Sequence, residues 1–165
     1  MKISKYKHDS EYSYTLGATL TIELLKSKPE AAVEVYISTK TATIDALIKL
    51  CEEKNISITV NDKAFNILSP KGNCFVIGVF KKFEEKLING NHICLVNPSD
   101  SGNMGTILRT AVGFGINNIA IISPAVDIFD PKTVRASMGA VFHVNFKYYN
   151  SYEDYAFEFK ENTKY

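Results

Sequence analysis

Apolar residues in the first half of the chain recur with two different periods. A spacing of three to four residues predicts amphipathic helices, and strict alternation with polar residues predicts half-buried strands. The nearly continuous apolar run Cys74–Phe80 predicts a strand that is buried on both faces. In chain order, these patterns predict helix 16–26, strand 33–37, helix 44–51, strand 56–60, helix 62–68 and strand 74–80.

The second half of the chain repeats strand and helix more regularly. Asp130 followed by Pro131 predicts the start of one helix, and Ser151 predicts the cap of the last one. In chain order, the patterns predict strand 92–96, helix 106–114, strand 118–122, helix 131–141, strand 144–148 and helix 152–160. Strands that are separated by helices need crossover connections, so these strands are expected to form a parallel sheet covered by helices.

The segment Lys81–Asn91 separates the two halves. It is charged, ends in Asn-Gly-Asn and lies between two apolar strands, which is typical of a connector with few contacts between domains. The sequence therefore predicts two domains, residues 1–88 and residues 91–165. The fold class is α/β, with a small N-terminal α/β domain followed by a parallel-sheet domain.

Composition and charge exclude few classes of protein. The chain has 165 residues, of which 45% are hydrophobic and 22% charged, as in ordinary globular proteins. A net charge of +1 neither indicates nor excludes nucleic-acid binding, because a local patch matters more than the sum. The first residues include lysines but no apolar segment after them, and no apolar run is long enough to span a bilayer. We expect no membrane association.

The cysteines and histidines do not indicate a metal site. The chain has an odd number of cysteines, three, and no CxxC pair, so neither a zinc site nor a disulfide framework is expected. We interpret the three cysteines as buried thiols in a reducing, cytoplasmic environment: Cys51, Cys74 and Cys94. A structural or solvent-exposed role is favoured for the three histidines: His8, His92 and His143.

The segment Leu95–Gly115 carries the clearest candidate chemistry. An apolar strand leads into the polar segment Pro98–Gly105, which contains two glycines and opens a helix. Open α/β sheets bind ligands where parallel strands end, and a helix N-terminus offers N–H groups to an anion. The segment is not a phosphate-binding P-loop, because no Gly-Lys-Ser or Gly-Lys-Thr follows, and it is not a dinucleotide fingerprint.

Arg109 is the one charged residue of this helix. Helical side chains lean toward the N-terminus, so Arg109 is expected to reach back over Gly105, which leaves room for the guanidinium beside Asn103. Asn103 and Arg109 are therefore predicted to converge on one small volume. From the spacing alone, the other interpretation stays equally open: Asn103 is a turn residue and Arg109 makes a surface ion pair.

A second arginine lies in the helix that starts after Asp130. Arg135 precedes Gly139 by one helical turn, which would place it against a residue without a side chain, and an arginine fork suits a phosphate or a loop. Arg135, Gly105 and Ser137 are the candidate substrate-binding residues. For Ser137 and its neighbour Met138, tight helix packing is the favoured explanation.

The motifs resemble those of the SpoU/TrmH class of RNA 2′-O-ribose methyltransferases, part of the SPOUT superfamily. The segment NPSDSGNMGTILRTAVGFG is similar to the first signature of that family, and DPKTVRASMGAVF is similar to the segment that follows. The N-terminal half is similar to the small substrate-binding domain that often precedes the catalytic domain. The resemblance implies a SPOUT (α/β knot) domain over the second half.

The resemblance also implies the activity and its residues. Asn103 and Arg109 match the family's catalytic asparagine and arginine, and the arginine is implicated in activating or orienting a ribose 2′-hydroxyl for attack on the methyl group of S-adenosylmethionine. An arginine with a pKa above ~12 is a poor base, so we favour orientation and charge stabilisation. The implied substrate is ribosomal or transfer RNA, the implied assembly is a homodimer in the full-length form, and no metal is implied.

The chain departs from the family in one large respect. The later signatures, a Gly-Asn-Glu loop and a Ser-Leu-Asn helix start, build the cofactor pocket and the knot, and neither occurs here. We expect a C-terminally truncated SPOUT domain without the knot segment, with no assignable S-adenosylmethionine ligand and no activity on its own. Two alternatives remain: a non-catalytic RNA-binding or assembly protein derived from that family, and an unrelated α/β protein whose loop 98–105 binds a phosphate.

Overall fold

Strands and helices alternate within each half of the described chain. The computed structural model describes residues 3–42, 44–69 and 73–162. The elements of the first half are β1 (Tyr12–Leu16), α1 (Ala18–Ser27), β2 (Ala32–Ile37), α2 (Asp45–Lys54), β3 (Ser57–Val60), α3 (Asp62–Leu68) and β4 (Val76–Lys81). Those of the second half are β5 (His92–Val96), α4 (Ser101–Gly113), β6 (Asn118–Ile122), α5 (Pro131–Ala136), a 3₁₀ helix (Ala140–His143), β7 (Asn145–Tyr149) and α6 (Tyr152–Glu158).

The first half forms a four-stranded mixed sheet in the order β1-β4-β2-β3. The strand β4 pairs antiparallel with β1 and β2, whereas β2 and β3 are parallel. Every residue from Val76 to Phe80 is buried, which confirms the prediction of a strand covered on both faces. The sequence analysis missed β1, because its buried positions include Ser13 and Thr15. Their hydroxyls are satisfied: Ser13 Oγ donates to Phe129 O at 2.5 Å, and Thr15 Oγ1 lies 2.8 Å from Thr21 Oγ1.

The second half forms a three-stranded sheet in the order β5-β6-β7, and all its strands are parallel. The prediction of a parallel sheet is therefore confirmed. All five residues of the central strand β6 are buried. Ile119 and Ile121 lie in one core cluster with residues of α4 and α5, whereas Ala120 and Ile122 lie in another with residues of α6.

The two sheets share one hydrophobic core. Phe80, at the end of β4, is fully buried and packs edge-on against Phe129 and Phe142, with ring centroids 5.8 and 5.3 Å apart. The connector also contributes, since Phe83 packs against Phe129 at 4.8 Å and Leu87 is buried. The expectation of a connector with few contacts is therefore wrong. The division into domains 1–88 and 91–165 stays a prediction.

Two predicted helices have a boundary that differs from the structure by more than one helical turn. The helix α4 begins at Ser101 rather than at 106, because Asp100 Oδ1 accepts the N–H of Asn103 at 2.7 Å and caps it. The predicted helix 131–141 is interrupted after Ala136, since Met138 and Gly139 have φ angles of 52° and 90°. The predicted caps of α5 and α6, Asp130 and Ser151, are confirmed, and Asn61 caps α3.

No helix in the described part of the chain is long and apolar enough to cross a bilayer. All three cysteines are free thiols, and burial raises the pKa of each thiol above its ordinary value. Cys51 and Cys74 are buried and Cys94 is half-buried, which agrees for the first two with their interpretation as small hydrophobic residues.

Candidate active site

The helix α4 starts at the edge of the second sheet where the parallel strands end. The strand β5 ends at Val96, and Asn97 turns the chain with a φ of 49°. The carbonyl of Pro98 then accepts the N–H of Val126 at 2.8 Å, which ties this segment to the loop after β6. Because ligands of open α/β sheets bind at this edge, the residues of α4 are well placed for chemistry.

Gly105 allows α4 and α5 to lie in close contact. It is buried, and a Cβ atom at this position would lie 2.5 Å from Ala136 Cβ and 2.6 Å from Ser137 N. The room beside Gly105 is therefore filled by α5 and not by a guanidinium, which corrects the expectation from the sequence. The role seen for Gly105 is packing, and a contact with substrate stays a prediction.

Arg109 lines an open hollow of about 330 Å³ between α4, α1 and the turn at residues 137–139. Its side chain is exposed, and its guanidinium forms no hydrogen bond or ion pair with any residue that the structure describes. The surface ion pair that the sequence left open is thus absent from the described ranges. The remaining lining residues are Glu23, Val112, Gly113, Ser137, Met138, Gly139, Ala140 and His143.

Asn103 lies in the first turn of α4 and is exposed. Six residues along one continuous helix correspond to about 9 Å of rise and about 120° of rotation, so Asn103 and Arg109 present different sides of α4. Asn103 is not part of the hollow that Arg109 lines. The predicted convergence assumed that the helix began at 106, and it is not seen in this structure. A catalytic role for each residue stays a prediction.

The turn between α5 and the 3₁₀ helix forms one wall of the hollow. Ser137 is fully buried, and its hydroxyl donates to Val134 O at 2.8 Å and accepts the N–H of Val141 at 3.4 Å. This packing role is the one that the sequence favoured for Ser137, and a contact with substrate stays a prediction. Met138 is 54% exposed although its φ angle is positive, a conformation that is costly for a side chain other than glycine.

Glu23 reaches the hollow from α1, in the first half of the chain. A Cβ atom at Gly139 would lie 2.6 Å from Glu23 Cγ, so Glu23 and not Arg135 occupies the space beside Gly139. Glu23 Oε1 lies 2.5 Å from His143 Nε2 and accepts a hydrogen bond from Ser27 Oγ at 3.1 Å. The hydrogen bond from His143 is the main reason that the pKa of Glu23 lies below its ordinary value. No local spacing in the sequence indicated Glu23.

Arg135 lies on another surface. It lines a cleft of about 420 Å³ between α5 and the first sheet, together with Lys5 and Lys132. The two arginines of the chain therefore line separate hollows. Arg135 remains a candidate for a phosphate contact, as the sequence suggested.

A buried carboxylate fixes the loop that leads to α5. Asp127 accepts hydrogen bonds from the hydroxyl of Tyr6, from Lys82 Nζ at 2.9 Å and from its neighbour's backbone, Phe129 N, at 2.8 Å. His8 Nδ1 lies 3.0 Å from the same carboxylate. Burial acts to raise the pKa of Asp127, but the hydrogen bonds from Tyr6 and Lys82 outweigh it and hold this pKa below its ordinary value. Within the described residues, no group of three His, Cys, Asp or Glu could hold a metal ion.

Comparisons of sequence find a family model and several similar proteins. Residues 90–165 match the model of the SpoU rRNA Methylase family. The mitochondrial rRNA methyltransferase 3 of Xenopus tropicalis is 48% identical over 48 residues, which are 29% of this chain and 12% of that protein. The 23S rRNA (guanosine(2553)-2′-O)-methyltransferase of Bacillus subtilis is 36% identical over 62 residues, which are 37% of this chain and 25% of that protein.

Comparisons of structure extend to both halves. The AdoMet-bound rRNA methyltransferase from Sinorhizobium meliloti is similar over 92% of this chain with a TM-score of 0.72 and 22% identity. The SpoU methyltransferase AviRb from Streptomyces viridochromogenes, in complex with AdoMet, is similar over 92% of this chain with a TM-score of 0.75 and 18% identity. This chain covers 58% and 59% of those two structures, respectively. The expected α/β fold is confirmed, and residues 90–165 of this chain match the SpoU rRNA Methylase family model.

Proposed function

We propose that this chain supplies the ribose-orienting part of an RNA 2′-O-methyltransferase that acts on ribosomal RNA. The proposal is supported by the family match of residues 90–165 and by relatives named as rRNA methyltransferases. The observation that carries it is Arg109. In the segment that resembles the family's first signature, its guanidinium lines an open hollow and has no partner among the described residues. An unpaired cation of this kind is suited to bind an oxygen-rich, anionic ligand.

The chemistry of arginine decides what Arg109 contributes. An arginine guanidinium stays protonated in proteins, so it cannot accept the proton of a ribose hydroxyl. Its planar fork can bind a phosphate or ribose oxygen and hold the 2′-hydroxyl in line for attack. It can also stabilise negative charge that develops on the 2′-oxygen. Arg109 is therefore assigned orientation and charge stabilisation.

The described residues of this hollow do not fit S-adenosylmethionine. The sulfonium of that molecule is a cation, and the one carboxylate in the lining of the hollow, that of Glu23, is already held by His143 and Ser27. The polar groups of Glu23 and Ser137 are engaged within the protein. S-adenosylmethionine is proposed as the methyl donor because the two solved relatives bind AdoMet. No residue of this chain is assigned to hold it, and no step is derived through it.

A second candidate function follows from this misfit. A protein that retains the RNA-binding surfaces and does not bind the methyl donor would be a non-catalytic RNA-binding or assembly factor. A homodimer, implied by the resemblance, and a cytoplasmic location, inferred from the cysteines, also belong to the first proposal.

The experiment measures methyl transfer and donor binding separately. Isothermal titration of the protein with S-adenosylmethionine gives the affinity for the donor, and incorporation of labelled methyl groups into ribosomal RNA gives the activity. Donor binding with 2′-O-methylation supports the methyltransferase. RNA binding without donor binding supports the non-catalytic candidate, and the absence of RNA binding contradicts both.

A further inference from the structure

A cleft away from Arg109 joins the two halves of the molecule. It has a volume of about 420 Å³ and lies between α5, the N-terminal segment and α3. Its floor is apolar and includes Leu16, Ile67 and Leu68. Three basic side chains lie around this floor, and two of them come from α5 while the third comes from the N-terminal segment: Lys132, Arg135 and Lys5.

These three cations outnumber the one acidic residue of the cleft, Asp130. None of them forms an ion pair with a carboxylate in the described parts of the chain. The one acidic residue of the cleft, Asp130, accepts the backbone N–H of Lys132 at 2.8 Å and so caps α5. Elsewhere four lysines are paired with carboxylates: Lys28, Lys81, Lys82 and Lys147. The cleft is thus a local excess of positive charge in a chain whose net charge is only +1.

The walls of the cleft are fixed by hydrogen bonds within the protein. The hydroxyl of Tyr14 donates to Ser4 O at 3.1 Å, and the hydroxyl of Tyr6 donates to the buried carboxylate of Asp127. The bond from Ser13 Oγ to Phe129 O ties β1 to the loop that precedes α5. Because both walls are held in this way, the backbone positions that carry the basic groups are fixed before any ligand arrives.

We propose that this cleft binds the sugar-phosphate backbone of a single-stranded RNA segment. The three cations would each neutralise a phosphate, and the apolar floor would contact a ribose or a base edge. The inference rests on the proposed function for the class of substrate, and it adds a second contact that both halves of the chain build together. Phosphate contacts of this kind fix the register of an RNA relative to the reacting nucleotide.

The test is the salt dependence of RNA binding, measured by fluorescence anisotropy. The probe is an unstructured, labelled RNA of about twelve nucleotides, titrated with wild type, with the triple variant K5A/K132A/R135A and with a charge-matched control. The control, K49A/K54A/K160A, removes three exposed lysines that line none of the described hollows. The affinity falls as salt rises, and each lost phosphate contact is expected to make the slope of log K against log salt shallower by about 0.7. The slope of the triple variant is therefore expected to be shallower than that of wild type by about 2.

The control and wild type are expected to give the same slope. Equal slopes for all three proteins, or an equal loss in both triple variants, would overturn the proposal. Thermal melting shows whether the variants are folded. Arg135→Lys keeps the positive charge and is expected to keep the salt slope of wild type, so it remains informative if the triple variant does not fold. Tighter binding of an acidic peptide than of RNA would also overturn it.

Failure of the methyltransferase proposal has a different signature. RNA binding with a cleft-dependent slope, but without methyl incorporation, leaves this inference standing and contradicts only the enzymatic function. Methyl incorporation together with a salt slope that does not depend on the cleft supports the enzymatic function and contradicts this inference.

Discussion

Replacing Gly105 by alanine perturbs the contact that places Arg109 beside the turn at 137–139. The added Cβ atom would lie 2.5 Å from Ala136 Cβ, 2.6 Å from Ser137 N and 2.7 Å from Ala136 C. Two of these three neighbours are backbone atoms, so no side-chain rotation can relieve the overlap. The helices α4 and α5 must move apart.

Two opposing effects determine the size of the loss. Overpacking a well-filled site typically costs 1–3 kcal/mol, and we take about 3 kcal/mol because backbone atoms must shift. Alanine is favoured over glycine inside a helix by about 1 kcal/mol. The free energy of unfolding is therefore expected to fall by about 2 kcal/mol. For a chain of this size, that corresponds to a decrease in Tm of roughly 4–8 °C.

Gly113→Ala is the matched control in the same helix. A Cβ atom at Gly113 would have no neighbour within 4 Å, and its φ angle is not among the positive ones. This substitution is expected to leave the unfolding free energy unchanged or to raise it by up to about 1 kcal/mol. Urea titration followed by circular dichroism measures both variants. A Gly105→Ala variant as stable as Gly113→Ala would refute the role of Gly105 in the contact between α4 and α5.

Two further predictions concern the parts that join the halves. Phe80→Ala removes a fully buried ring and is expected to lower the free energy of unfolding by about 3–5 kcal/mol. Because the core is shared, circular dichroism and tyrosine fluorescence should report one common unfolding transition. Two separate transitions would contradict a shared core. Asp127→Asn weakens the hydrogen bonds from Tyr6 and Lys82, and it is expected to lower the free energy of unfolding by about 2 kcal/mol at neutral pH. The pKa of Asp127 is lowered in the folded state, so its ionised carboxylate stabilises the fold. This stabilisation is fully present above the unfolded-state pKa near 4 and is lost as the pH falls further. Urea titrations at neutral and acidic pH should therefore give a difference between wild type and Asp127→Asn that shrinks in acid, and a constant difference would contradict this assignment.

Local periodicity predicted most of the fold. The regular alternation of strand and helix after residue 91 predicted the parallel sheet correctly, because each element there buries a simple apolar pattern. The strand β1 was missed because its buried positions carry hydroxyls whose partners lie far along the chain, such as Phe129 O for Ser13. The break after Ala136 was missed because Met138 adopts a positive φ, which no residue type at that position announced.

The candidate site was only partly predictable for a related reason. Arg109 could be singled out because it is a lone charge in an apolar helical pattern. Its neighbour Glu23 could not, since α1 reaches the hollow only through the tertiary packing of the first half against the second. The glycines of α4 indicated a loop, but Gly102 and Gly105 lie within the helix, and the absence of a side chain at Gly105 serves packing.

The role of Arg109 as the group that orients the ribose is tested by methyl transfer in its variants. The measurement is incorporation of labelled methyl groups into ribosomal RNA by the protein that contains this chain, with Thr110→Ala, an exposed position on the same helix, as the control. Arg109→Ala is expected to reduce the rate by about 100-fold or more while the Tm stays unchanged, because one stabilising group is lost from the transition state. Arg109→Lys, which keeps the charge but not the fork, is expected to recover part of the rate. Turnover by Arg109→Ala close to that of wild type and of Thr110→Ala would contradict the assignment.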